Sequence, residues 1–186
     1  MLEHRFVVLT APSGSGKTTI ARRLLEAFPG LRFSVSATTR PPRDGEVDGR
    51  DYHFVSVEHF RKMIEAGDLL EWQEVYPGRF YGTPTSELAK DDRVLLLDID
   101  VMGARNIKHL YGDDVLALYI APPSLAVLEQ RLRARGTETE ETLAMRLARA
   151  RVELGMADVF DRVIVNDVLD DAVAETLSLV RAYLNA

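Results

Sequence analysis

The stretch Ala11-Pro12-Ser13-Gly14-Ser15-Gly16-Lys17-Thr18 lies between an apolar run, Phe6-Val7-Val8-Leu9, and apolar residues at helical spacing, Ile20, Leu24 and Phe28. Few local patterns constrain a fold so narrowly. A short run without polar alternation reads as a strand buried on both faces, so the order is strand, glycine turn, helix. Gly14 and Gly16 let the backbone curl until successive N–H groups converge on one point. The N-terminus of the following helix and the Lys17 ammonium add positive charge there. Such a loop holds polyphosphate, and a hydroxyl at Thr18 suits a magnesium ion shared with it. The expected triphosphate contacts are Ser13, Gly14, Ser15, Gly16, Lys17, Thr18 and Thr19. Ala11 stands where the motif usually begins with glycine, a mild departure if that residue keeps an ordinary φ.

At 186 residues the chain can bury a real core as one domain with subdomain insertions. It contains no cysteine, so disulfides and thiolate chemistry are excluded, in keeping with a reducing cytoplasm. No signal peptide and no apolar run of ~20 residues is visible, so neither export nor membrane spanning is expected. A net charge of −6 argues against general nucleic-acid binding. Local basic clusters must then have local purposes. The pattern does not reveal an oligomeric state.

After the first helix, Pro29-Gly30 is a stop and Leu31 to Val35 reads as a second strand leading to Ser36. Arg40-Pro41-Pro42-Arg43 then holds two arginines stiffly, as a fixed anion such as a phosphate monoester requires. Ser56 is placed to cap a helix with Phe60, Met63 and Ile64 on its apolar face, ending at Gly67. Leu69 to Val75 reads as a strand, and Tyr76 to Thr83 as a turn with aromatics at its exit; Trp72 reads as packing. The apolar run Val94 to Leu97 ends on Asp98-Ile99-Asp100. Ligands gather outside the carboxyl ends of parallel strands, so Asp98 is placed to orient a magnesium shell beside Thr18, and alternation puts Asp100 on the same side. An acid there also suits capping of the next helix.

Leu116 to Ile120 is a further strand, and Pro122-Pro123-Ser124 breaks and caps. Six arginines, Arg131, Arg133, Arg135, Arg146, Arg149 and Arg151, flank an expected pair of helices, with Thr137 to Glu140 matching a capping box. Such a cluster in an acidic chain suggests a lid over phosphates, with helical ion pairs for Arg133 and Arg151. Val163 to Val165 reads as a last strand before Asn166, and a terminal amphipathic helix follows. Alternating strands and helices make a three-layer α/β domain. The four histidines show no ligand or triad spacing. Phosphoryl transfer needs none, because it relies on positioning and charge neutralisation, and a phosphate acceptor needs no general base.

Beyond the loop, the segments Ser34 to Arg43, Gly45 to Tyr52, Tyr81-Gly82-Thr83, Leu97 to Asp100 and Ile164 to Asp167 together resemble guanylate kinase across essentially the whole chain. The resemblance implies a P-loop NTPase fold with a parallel core sheet, a GMP-binding α+β insertion at about residues 36–86 and a helical lid at about 124–150. The core would take about 1–35, 87–123 and 151–186. It further implies transfer of a phosphoryl group from ATP to GMP or dGMP with Mg2+, in purine metabolism. Arg40, Arg43, Tyr52 and Tyr81 would hold the GMP phosphate, and Ser36, Glu71, Thr83 and Asp100 would read guanine. Lys17, Arg135 and Arg146, with Asp98, would serve the transferring group, and Asn166 would lie near adenine. The GMP-binding segment and the lid would close on ligand. Two departures stand out: Met102 where the family commonly has glutamine, and a turn near Tyr76 to Arg79 that is one residue longer, with Phe80 for a common tyrosine. An interaction module without catalysis would have an eroded loop, and a kinase of phosphorylated ribose would not use the guanine set.

Overall fold

The computed structural model describes residues 5–91, 93–134, 136 and 139–186. Its strands are β1 (Phe6–Thr10), β2 (Leu31–Phe33), β3 (Ala37–Thr38), β4 (His53–Phe54), β5 (Leu69–Tyr76), β6 (Arg79–Pro84), β7 (Val94–Asp98), β8 (Val115–Ala121) and β9 (Arg162–Val165). The helices are α1 (Lys17–Ala27), α2 (Val57–Ala66), α3 (Val101–Tyr111), α4 (Leu125–Ala134), α5 (Glu140–Leu154) and α6 (Leu169–Leu184).

Five parallel strands in the order β2-β7-β1-β8-β9 form the core sheet. Parallel neighbours need crossovers, and these place helices on both faces, so the apolar runs of β1, β7 and β8 are buried on both sides, while the edge strand β9 buries Ile164 and leaves Val163 and Val165 exposed. On one face Phe6, Val8, Leu95, Leu97 and Tyr119 pack with Ala104 and Ile107 of α3. On the other, Val7, Leu9, Leu96, Leu118 and Ile120 pack with Ile20 and Leu24 of α1 and with Ala172 and Val180 of α6. The expected three-layer arrangement is therefore present. Because β1 and β7 are adjacent and in register from Phe6 with Leu95 to Leu9 with Asp98, the glycine loop after β1 and the acids after β7 emerge side by side.

A second, mixed sheet, β4-β3-β6-β5, carries α2 on an apolar cluster of Ala37, Phe60 and Phe80. Ser56 caps α2 by accepting from the His59 amide at 3.1 Å, and Gly67, at φ 72°, ends it in the left-handed conformation, both as the sequence indicates. The chain returns to the core through a buried ion pair, Arg32 Nη1 to Glu87 Oε2 at 2.9 Å, with Asp91 on the same guanidinium.

Local details differ from expectation. Strand β2 stops at Phe33, because the chain then leaves the core for the second sheet. Trp72 packs toward Phe80, 6.4 Å between ring centres, yet remains 40% exposed on the outer side of β5. The capping box of α5 is Thr139 with Thr142, not Thr137 with Glu140: the helix begins at Glu140, one position after the cap, so Glu140 cannot occupy the third turn position that a box needs. Thr137 lies outside the described residues.

Candidate active site

The glycine loop folds as its sequence requires. Gly14 and Gly16 take φ of 102° and 90°, while every described non-glycine residue, Ala11 included, keeps a negative φ. Gly16 is the N-cap of α1 without a side-chain cap, which leaves the first N–H groups of the helix directed at the cleft. A β-carbon on Gly16 would overlap the Asn166 amide nitrogen, and that nitrogen donates to the Ser15 carbonyl at 2.7 Å. Lys17 is held at the mouth of the loop by Asp98 Oδ1 at 2.6 Å and the Ile99 carbonyl at 2.7 Å.

One cleft is lined by the loop from Ala11 to Thr19 and by groups from every surrounding element. Ser36, Arg40, Arg43, Tyr52 and Tyr81 lie on the side of the second sheet, Asp98 and Asp100 on that of the core, and Arg146 on α5. Arg40 is buried, its guanidinium bonded through both terminal nitrogens to Glu46 at 2.6 Å and facing the Tyr52 ring at 5.0 Å. Glu46 also accepts from the Arg43 amide at 2.7 Å, which ties the two arginines together. The Arg40 bond holds the Glu46 carboxyl below its ordinary range. Burial pushes the Tyr52 phenol up, to about 12.

Glu71 is 5% exposed, and its Oε1 accepts from the Thr83 hydroxyl at 2.7 Å. Desolvation pushes its carboxyl up to about 7, with the Asp100 charge adding to the rise and the Thr83 bond opposing it. Thr83 is fully buried and acts behind Glu71 rather than on the cleft wall. Asp100 fulfils both roles the sequence suggests: Oδ1 caps α3 by accepting from the Met102 and Gly103 amides at 2.9 and 3.2 Å, and the residue lines the cleft. Asn166 stands behind the loop, 4% exposed, with its Oδ1 buried and unpartnered among the described residues.

The helical pair α4 and α5 packs through Leu128, Leu132, Leu143 and Ala150. It leans on the loop: a β-carbon at Gly14 would meet Leu128 and Leu132 at 3.0 and 3.1 Å, and Arg146 donates to Ser13 Oγ at 2.6 Å. Arg133 forms the expected ion pairs, with Glu129 and Glu140, and Arg131 bonds the Asn166 carbonyl. It is Arg149, not Arg151, that pairs with Glu153, at 2.5 Å, because those two are one turn apart on the same face. Arg135 lies outside the described residues.

Cleft residues not singled out as candidates in sequence include Tyr76, Arg79 and Glu153, whereas Arg149 belongs to the arginine cluster expected of the lid without a role of its own. Arg149 also bonds the Val75 carbonyl and approaches Asp100 Oδ1 at 3.8 Å, and it shares the Tyr76 ring with Arg146, at 5.5 and 5.7 Å. Its position three residues after Arg146 was the available signal. Glu153 is buried, which raises its carboxyl against the opposing effect of Arg149.

A magnesium ion demands hard oxygen donors and keeps water and substrate phosphate in its shell. Thr18 and Asp98 line the same cleft beside the loop, and among the described residues no group of three or more metal-ligating side chains forms a closed cage. That donor set fits an ion completed by phosphate.

A family model described as guanylate kinase matches residues 3–183. A guanylate kinase of Salinibacter ruber is 57% identical over all of both chains, and one of Chlorobium luteolum is 53% identical over 97% of this chain and 93% of that one. The crystal structure of guanylate kinase from Anaplasma phagocytophilum superposes with a TM-score of 0.78 at 32% identity, covering 98% of this chain and 87% of that one. With a phosphate loop and the carboxyl groups of Glu71 and Asp100 lining one cleft and a match that runs almost end to end, the chain belongs to the guanylate kinase family.

Proposed function

We propose that the protein transfers the γ-phosphoryl group of ATP to GMP, and to dGMP, giving ADP and GDP. The observation that carries the reading is the cleft itself, in which a phosphate loop, an arginine–tyrosine cage and a pair of carboxyl groups, Glu71 buried and Asp100 partly exposed, face one another. The cage of Arg40, Arg43, Tyr52 and Tyr81 takes the GMP phosphate. Glu46 fixes the plane of Arg40, so the remaining donors are aimed before the substrate arrives. Glu71 and Asp100 accept from the N1 and N2 hydrogens of guanine, with Thr83 orienting Glu71 and Ser36 beside them. Adenine has no N1 donor, and a misfit base strands buried carboxylates, a discrimination worth about 10⁴-fold or more in sites of this kind.

The triphosphate lies along the amides of residues 13–19, with Asn166 holding the Ser15 carbonyl from behind. Lys17, Arg146 and Arg135 stabilise charge on the group in transit, because loose phosphoryl transfer spreads charge over its oxygens. The acceptor phosphate has its second pKa near ~6 and attacks as the dianion, so no side chain need remove a proton. Magnesium, held through Thr18 and Asp98 with water between, would neutralise the β- and γ-phosphates. The reading sets the protein in purine nucleotide metabolism in the cytoplasm, where both substrates are supplied.

The test follows nucleotides by chromatography after mixing protein, ATP, magnesium and GMP. ADP and GDP should appear in equal amounts, and Lys17→Ala should lower kcat by about 10²-fold or more, the usual scale for one electrostatic donor at a transition state. No GDP from the native protein, or turnover in Lys17→Ala within about ten-fold of native, would contradict the reading.

A further inference from the structure

A glycine sits where the guanine-reading carboxylate meets a helix. Gly103 occupies the third position of α3, in ordinary helical conformation, with no positive φ to require glycine. On propensity alone alanine would serve better there. What excludes a side chain is Glu71. A β-carbon built on Gly103 would overlap Glu71 Oε2 and stand 3.0 Å from its Cδ and 3.6 Å from Asp100 Oδ2. The backbone of Gly103 also donates to Asp100 Oδ1 at 3.2 Å, so this one residue touches both carboxyl groups.

We propose that Gly103 is a specificity-positioning residue, whose missing side chain seats the Glu71 carboxylate against the first turn of α3 beside Asp100. The seat is physically favourable, because a helix N-terminus attracts negative charge. It is also inflexible. Glu71 is 5% exposed, and Oε1 is engaged by Thr83 at 2.7 Å, so a swing that carries Oε2 away from a new methyl group breaks the Thr83 bond or tilts the carboxylate off its partner. Only the end of a side chain has to move, so the fold would survive and recognition would suffer.

The inference rests on the reading that Glu71 faces guanine, and its test keeps the two apart. GMP and ATP binding are titrated separately by calorimetry on the native protein, Gly103→Ala, Glu71→Ala and the double variant, with Tm for each and turnover of GMP and AMP. Gly103→Ala should weaken GMP by about ten-fold or more, the scale of one disturbed charged hydrogen bond. ATP affinity should stay within about two-fold, and the loss should appear in the KM for GMP rather than in kcat. Selectivity for GMP over AMP should fall with it. The Tm should hold or rise, since alanine favours the helix. In the Glu71→Ala background the glycine change should add less than about two-fold, because two residues acting through one contact are not additive. Native GMP affinity in Gly103→Ala overturns the proposal. So does an equal penalty in both backgrounds, which would mean that the methyl group meets the nucleotide directly, or a Tm loss beyond about 5 °C, which would make Gly103 a packing residue. Undiminished GMP affinity in Glu71→Ala overturns the guanine reading itself.

Discussion

Glu71 sets the pH behaviour of the free protein and of its complex in opposite directions. In the free protein its carboxyl is raised to about 7 by burial, so it favours folding fully below its unfolded value near ~4.5 and loses that contribution as pH rises through about 7. Guanine needs the ionised form, so GMP binding expels a proton near neutrality and weakens as pH falls. Asp100 and Lys17 act on the same carboxyl, the first raising and the second lowering its titration. The KM for GMP should therefore climb between pH 8 and pH 6 beyond what the phosphate, with its own pKa near ~6, explains. Glu71→Gln keeps the phosphate contribution and should lose the excess; equal profiles for the two proteins would refute this role. The residue types at Ser36, Arg40 and Asp100 were legible in sequence because each carries its chemistry visibly. The reading of Asn166 as a neighbour of adenine did not anticipate its bond to the Ser15 carbonyl, which depends on the packing of two distant segments.

Among elements, the strand pair β5 and β6 explains a contact that no local pattern reveals. Glu74 pairs with Phe80 and Tyr76 with Arg79, so Val75 is an extra residue opposite none. This is a bulge, in the stretch where the family resemblance suggests one residue more than usual, with Pro77-Gly78 closing the hairpin and Gly78 at φ 72°. A bulge frees a carbonyl from the ladder, and the Val75 carbonyl is where Arg149 arrives from α5. The guanidinium thereby joins the helical pair, the second sheet and, near Asp100, the core. Arg149→Ala should raise the KM for GMP by about three- to ten-fold while changing Tm by less than about 3 °C, since a quarter-exposed ion pair contributes modestly to folding. A KM for GMP unchanged by the substitution would remove Arg149 from acceptor binding. Strands, caps and the glycine turn were readable because they rest on short-range period and turn chemistry. The bulge was not, because register exists only once β5 has found β6.

At the scale of the molecule, the core sheet is a fixed platform with its loop and acids at one end, and two outlying parts meet over it through side chains. The helical pair reaches the second sheet at the Tyr76 ring and Val75 carbonyl, and the loop at Ser13. Contacts made by a few long side chains are easily remade, unlike a packed apolar interface, and on that ground we propose that these parts close on ligand. Adding GMP together with a non-hydrolysable ATP analogue should lower the radius of gyration in small-angle scattering; superimposable free and doubly liganded structures would contradict closure. The three-layer arrangement of the core was expected from alternating apolar strands and helices, whereas an insertion at about residues 36–86 followed from the family resemblance and not from periodicity, and neither placed the exit of the chain as early as Phe33.

The central claim is that two adjacent carboxyl groups, the buried Glu71 and the cleft-lining Asp100, make this phosphate-loop protein select guanine. It is tested most directly by ADP release with ATP and magnesium across GMP, AMP, CMP and UMP at equal concentrations. The account predicts a kcat/KM for GMP about 10⁴-fold or more above the other three. Comparable values for any of them would contradict it.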